Sequence, residues 1–276
     1  MNRYGHNLVV KAVFKNWNRN WAATLVVLLG AVVPAFGQTP PPGMALIPTG
    51  MYHPLFRSES DPKEARIKSF YLDILPVTNG DFLAFVRANP RWQRSRVKKI
   101  FADEFYLKNW AGDLDSGSNA PANVPVTDVS WFAAKAYAQW KGKRLPTVAE
   151  WECAASASST QSNGEQDTEF KRQVLKWYCT PATEKLPPAG LGPANFWGIH
   201  DLHGLVWEWV ADFNSALLTG DAQGSAGPDR ELYCGGGAQG AADVQNYPAF
   251  MRYAFRSSLK ADYCVHNLGF RCAKDP

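Results

Sequence analysis

Two carboxylates and two guanidinium groups carry the chemistry this sequence could perform. Asp201 and Glu208 share the stretch Trp197-Gly198-Ile199-His200-Asp201-Leu202-His203-Gly204-Leu205-Val206-Trp207-Glu208-Trp209-Val210-Ala211-Asp212. A pair of carboxylates suits general acid–base work or the binding of a hard cation through oxygen. Glu208 stands in an otherwise apolar run, and a buried carboxylate needs a counter-charge or a metal. Arg252 and Arg256 form the second pair. Their spacing puts them on one side of a helix or of an extended chain alike. Guanidinium groups bind carboxylates bidentately, so this pair fits a carboxylate or peptide ligand, or an acid of the core. His200 and His203 have the spacing of a zinc pair, but no third ligand follows at a useful distance.

The elements that must position these residues read as a loop-rich α+β domain. Gly198 and Gly204 give the first stretch backbone freedom, and Leu205 to Ala211 read as a strand. On a period of two, Trp207 and Trp209 share one face and Glu208 joins Val206 and Val210 on the other. Met44 to Tyr52 read as a strand broken by a turn, and Ile67 to Ile74 as a second strand. Thr78 caps a short helix over Asn79 to Asn89. Ser130 caps a helix over Trp131 to Trp140, closed by Lys141-Gly142-Lys143. Thr147-Val148-Ala149-Glu150 is a capping box opening a helix through Ala155. Ser156 to Asp167 read as a surface loop, Arg230 to Cys234 as a candidate strand, and Asn267 to Ala273 as the last one. Arg91, Arg94, Arg96, Lys98 and Lys99 read as a solvated face or as an anion or partner contact.

The N-terminus has the order of a secretory signal: basic residues to Arg19, an apolar run from Ala22 to Val33, and a small-x-small site ending at Gly37. The apolar run is short for a membrane span of about 20 residues. The alternative is an uncleaved anchor. Either way residues 38–276 are expected outside the cytoplasm, periplasmic or secreted, with no membrane span once the signal is cleaved. All 25 acids and 25 of the 29 basic residues lie beyond the leader, so the exported part is near neutral and does not suggest nucleic acid. Cys153, Cys179, Cys234, Cys264 and Cys272 are odd in number, so at least one stays free or pairs outside the chain; one disulfide is plausible, with no pairing assignable.

Four motifs in register then carry a resemblance: Val129-Ser130-Trp131, Gly142-Lys143-Arg144-Leu145-Pro146-Thr147-Val148-Ala149-Glu150-Trp151-Glu152, Gly204-Leu205-Val206-Trp207-Glu208-Trp209, and Asn267-Leu268-Gly269-Phe270-Arg271. Together they resemble the formylglycine-generating enzyme (sulfatase-modifying factor) family over residues 44–274, after a linker at 38–43. The resemblance implies a single domain with a decorated variant of the C-type-lectin fold. It implies structural calcium on a side-chain oxygen of Asp201, the backbone of Gly204 and Val206, and the Glu208 carboxylate. The alternative for Glu208 is an arginine, Arg252 or Arg271. It also implies a substrate cleft at Trp207, Arg252, Tyr253, Arg256, Ser257 and Asp262.

One departure matters for function. The oxidases of the family hold Cu(I) on a cysteine pair, and the matching segment here, Gly235 to Asp262, has no cysteine. Copper-dependent oxidation is therefore not expected. Exported members without that pair include a factor that matures a siderophore chromophore and accessory proteins of denitrification or copper-protein gene sets. Phe101-Ala102-Asp103-Glu104 and Trp110-Ala111-Gly112-Asp113 look closest to the accessory group. The expected function is an accessory or oxidative maturation factor, of oxidoreductase type if active, for an exported protein, peptide or small molecule. The alternative is a non-catalytic, calcium-stabilised lectin-like binding module.

Overall fold

A computed structural model describes residues 39–53, 64–180, 185–214 and 247–276. The leader and the candidate strand Arg230 to Cys234 lie outside the described residues. Residues from Gln38 to Pro276 form one unit, whose described residues build three small sheets. β1 (Met44–Ile47) pairs antiparallel with β4 (Phe70–Asp73), which pairs antiparallel with β7 (Ala273–Lys274). β2 (Gly50–Tyr52) pairs with β3 (Ala65–Ile67), and β5 (Trp207–Trp209) pairs in parallel with β6 (Leu268–Phe270). The expected strand over Ile67 to Ile74 is thus two strands, β3 and β4, in different sheets. The strand expected over Leu205 to Ala211 shortens to β5.

The helices start where capping chemistry puts them. α1 (Asn79–Ala88) and α3 (Val148–Ala155) open with reciprocal capping boxes, Thr78 with Asp81 and Thr147 with Glu150. α2 (Trp131–Trp140) starts on the Ser130 hydroxyl, and Gly142 at φ +66° turns the chain out of it. Asp212 accepts from the Val148 amide, tying the start of α3 to the chain beyond β5. One helix was not expected, and another resolves a segment left open between helical and extended. α4 (Thr168–Tyr178) follows the Ser156 to Asp167 loop on an Asp167 cap, and α5 (Tyr247–Ser258) settles the open conformation of the Arg252–Arg256 segment as helical.

Aromatic rings from several elements build the core. Phe82 contacts Phe85, Trp110, Tyr137 and Phe270 with ring centroids 5.3–6.2 Å apart. The buried Asn79 side chain is satisfied by the carbonyls of Pro121 and Val124 and by the Trp110 indole. Gly269 is required by close approach, since a Cβ there would sit 2.6 Å from the Val126 carbonyl. That contact seats β6 flat against the core, and β6 fixes the site.

Candidate functional site

The parallel register pairs Glu208 with Gly269, and Arg271 lies two residues further along the same face. The Arg271 Nε lies 2.9 and 2.8 Å from the two Glu208 oxygens, and its Nη2 donates to Oε1 at 2.8 Å. The Trp151 indole adds a bond to Oε2 at 2.6 Å. The remaining Arg271 donors reach the carbonyls of Asp73, Ile74 and His200. Both side chains are 0% exposed. Of the two arginines weighed as partners of Glu208, the fold selects Arg271.

A second buried carboxylate lies one helix away. Glu152 on α3 accepts from Arg252 Nε at 2.8 Å and Nη2 at 2.5 Å, and from Arg256 Nη1 at 2.6 Å. The Arg252 Nη1 also donates to the Tyr178 hydroxyl at 3.0 Å. Both guanidinium carbons sit over the Trp151 ring, 5.5 and 5.1 Å from its centroid. Burial alone would raise the Glu152 carboxyl; the two cations overcome it and hold it at about 2. The i, i+4 spacing that suggested a ligand clamp therefore serves an internal acid, with the two arginines sharing one carboxylate.

Above this cluster four rings form a wall. Trp207 lies 5.7 Å from Trp177, 5.4 Å from Tyr178 and 4.3 Å from Phe255 between centroids. A cavity of about 210 Å³ opens on the wall, lined by Trp177, Tyr178, Leu205, Trp207, Met251 and Asn267 among others. Beneath it a space of about 10 Å³, no more than a water's worth, touches Glu208, Arg252 and Arg256. The open cleft is therefore aromatic, and the charges lie behind it.

Of the expected cleft residues, Trp207 lines the cavity, and Arg252 and Arg256 lie below it. Tyr253, Ser257 and Asp262 line neither space. The Ser257 hydroxyl bonds back to the Tyr253 carbonyl, and the Asp262 carbonyl anchors the Asp103 amide. Sequence reasoning missed Trp177 and Tyr178, although Phe170, Val174 and Trp177 behind an Asp167 cap carry helical spacing. It also missed Glu152 and Trp151, whose motif gives no sign of their partners.

The expected calcium ligands are arranged unequally. Asp201, at φ +60°, accepts from the Gly190 amide at 2.5 Å, and Gly204 lies against Trp177. Glu208 has its acceptor sites filled by Arg271 and Trp151 and, so arranged, does not fit as a ligand. The two histidines separate: His200 bonds to the Gly192 carbonyl and His203 to the Ala155 carbonyl. Since a carbonyl only accepts, His203 Nε2 carries the proton, and Nδ1 is buried without a partner among the described residues. Burial, followed by the Arg252 charge, pulls His203 down to about 4. The cysteines Cys153, Cys179, Cys264 and Cys272 are free thiols, while Cys234 lies outside the described residues. Burial pushes the Cys264 and Cys272 thiols up.

Comparison with known proteins matches residues 30–276 to a family described as sulfatase-modifying factor enzyme 1-like domain. The chain is 32% identical over 235 residues to a serine/threonine-protein kinase pkn1 of Chlamydia caviae, covering 79% of this chain and 35% of that protein. It thus spans about a third of that relative. It is 31% identical to the inactive C-alpha-formylglycine-generating enzyme 2 of Bos taurus, over 78% of this chain and 80% of the relative. It is 32% identical to a formylglycine-generating enzyme of Streptomyces coelicolor, over 79% and 82% respectively.

Proposed function

The chain belongs to the sulfatase-modifying-factor family, and from that premise we propose that it is an accessory or maturation factor without copper–thiolate chemistry. It holds an exported protein, peptide or small molecule by an uncharged aromatic or apolar group in the cleft at Trp177, Tyr178 and Trp207. One observation carries the reading: the open cavity is walled by rings, while the adjacent carboxylates are committed to arginines. A flat side chain stacked there gains contact area at little entropic cost. The relatives include both a formylglycine-generating enzyme and an inactive one. The absence of a cysteine between Gly235 and Asp262 supports a role without copper–thiolate oxidation. Export rests on the leader, and the lectin-like layout on the family resemblance.

Calorimetric titration with short peptides bearing central tyrosine, phenylalanine or glutamate tests the reading. The aromatic peptides should bind best, and Trp207→Ala should weaken them at least about tenfold. A cysteine peptide incubated with Cu(I) and oxygen should yield no aldehyde by mass spectrometry. Aldehyde formation, or preference for the glutamate peptide, would overturn it. A second reading, the non-catalytic module, draws on the same committed ion pairs, which leave acid–base groups behind the cleft already engaged. Recovery of every bound peptide and small molecule unchanged would favour it over maturation.

A further inference from the structure

The basic run near residue 95 is not part of the cleft, and the fold gives it a shape. Residues 91–108 hold six cations, Arg91, Arg94, Arg96, Lys98, Lys99 and Lys108, against Asp103 and Glu104. Residues 38–276 as a whole carry 25 charges of each sign. The surplus is local. Among the described residues Lys98 and Lys99 are exposed and form no salt bridge, and Arg96 is exposed near the Asp113 carboxylate. At the crest Ile100 is 70% exposed, with Phe101 and Phe105 also open to solvent.

This crest is built rather than loose. Arg94 donates to the carbonyls of Leu107 and Trp110 at 3.3 and 2.8 Å, closing the loop on itself. Asp113 accepts from the Ser95 amide and hydroxyl at 2.8 and 2.5 Å. The Asp103 amide bonds to the Asp262 carbonyl, and the Asp103 carboxylate accepts from the Cys264 amide. Phe101 leans on Trp92 and Phe132, and Lys108 covers the Phe105 ring at 4.6 Å. A frame of this kind holds Ile100 and its neighbouring lysines outward at no further ordering cost.

We propose that this crest docks the protein on an anionic phospholipid surface, with Ile100 and the edges of Phe101 and Phe105 entering the headgroup region and Arg96, Lys98 and Lys99 meeting lipid phosphates. Apolar side chains ringed by exposed cations are what such an interface rewards, since the ions attract and the apolar tip retains. An acidic protein would use the cations but has no need of a bare isoleucine at the tip. No described helix is long and apolar enough to cross a membrane, and the contact proposed at this crest is a peripheral one.

Flotation of the Gln38–Pro276 unit, which contains every described sheet and the described core, with phosphatidylcholine vesicles with and without phosphatidylglycerol is the test. Binding should require phosphatidylglycerol. Lys98→Glu with Lys99→Glu should weaken it at least about tenfold. Ile100→Ser, at an exposed site, should weaken it several-fold with an unchanged melting midpoint. Equal flotation on both vesicles, or none on either, would overturn the proposal. So would binding to soluble polyglutamate that matches vesicle binding and ignores Ile100→Ser; that result would reassign the crest to an acidic partner.

Discussion

Two buried glutamates, Glu208 and Glu152, have the same kind of partner and different surroundings. Glu208 sits between paired strands, fully buried, with one arginine whose other donors are all taken by carbonyls. Glu152 sits on a helix, with two arginines from α5, an indole beneath them and the aromatic cleft above. The first cluster is neutral and closed. The second carries a net positive charge and touches the wall where a ligand would rest. Strand pairing makes the first a fastener of the Trp207 strand. The helical setting makes the second a support whose loss would be felt in the cleft.

Breaking the closed pair should have the largest effect. Arg271→Ala leaves Glu208 charged, buried and unpaired, which costs about 3–5 kcal/mol. Urea unfolding should show that loss, or the variant should fail to accumulate. Arg271→Met combined with Glu208→Leu removes both charges and should recover much of it. A single variant within about 1 kcal/mol of wild type would mean that the pair is not the fastener.

The Glu152 cluster should respond less at neutral pH and more visibly in acid. Glu152→Gln leaves two guanidinium groups facing each other, and about 2–3 kcal/mol should be lost, since the cluster keeps some solvent contact and Tyr178. The carboxyl is depressed in the fold, from 4.5 to about 2. Its stabilisation is therefore full above about pH 4.5 and lost as pH falls toward 2. Unfolding midpoints across that window should slope for wild type and flatten for Glu152→Gln. The same variant should loosen aromatic-peptide binding, whereas the rescued Arg271 and Glu208 double variant should leave it intact.

The two clusters also differ in how far the sequence revealed them. Caps act within a few residues, so the starts of α1, α2 and α3 were legible from Thr78, Ser130 and Thr147. Glu208 was legible as a carboxylate in need of a partner because its neighbours are apolar. Its actual partner was one of two arginines that spacing could not separate; the choice rests on parallel pairing of β5 with β6, a long-range fact. Arg252 and Arg256 were legible as a pair, but the acid between them lies about a hundred residues away in a motif that reads as helix-capping. The cleft wall was least legible. Trp177 and Tyr178 belong to α4, a polar-rich helix, and nothing local tells a core ring from a ring at a cavity.

His203 sharpens the contrast between the clusters because it packs on Trp151, which touches both. It is neutral in the fold, with its proton affinity lowered from 6.5 to about 4. Below about pH 6.5 the unfolded chain gains a proton that the fold refuses, so stability falls as pH drops toward 4. The slope should reach at most about 1.4 kcal/mol per pH unit. His203→Gln keeps a donor for the Ala155 carbonyl and should remove this slope while leaving the lower one that belongs to Glu152. A single acid transition common to both variants would mean that the two regions unfold as one electrostatic unit.

Calcium is the smallest expected effect and the finest probe of the closed pair. An ion held by Asp201, the carbonyls of Gly204 and Val206, and Glu208 would need oxygen that Arg271 and Trp151 already occupy. Placing a divalent cation beside a fully buried guanidinium adds repulsion that only a rearranged Glu208 could relieve. Chelation of the purified protein should therefore move the melting midpoint by less than about 1 °C, and added calcium should do no more. A shift of several degrees, abolished in Asp201→Ala but not in Glu152→Gln, would show that the loop gives up its arginine for an ion. Glu208 would then be a shared ligand, and the fastener would be set by metal supply where the Glu152 cluster is set by pH.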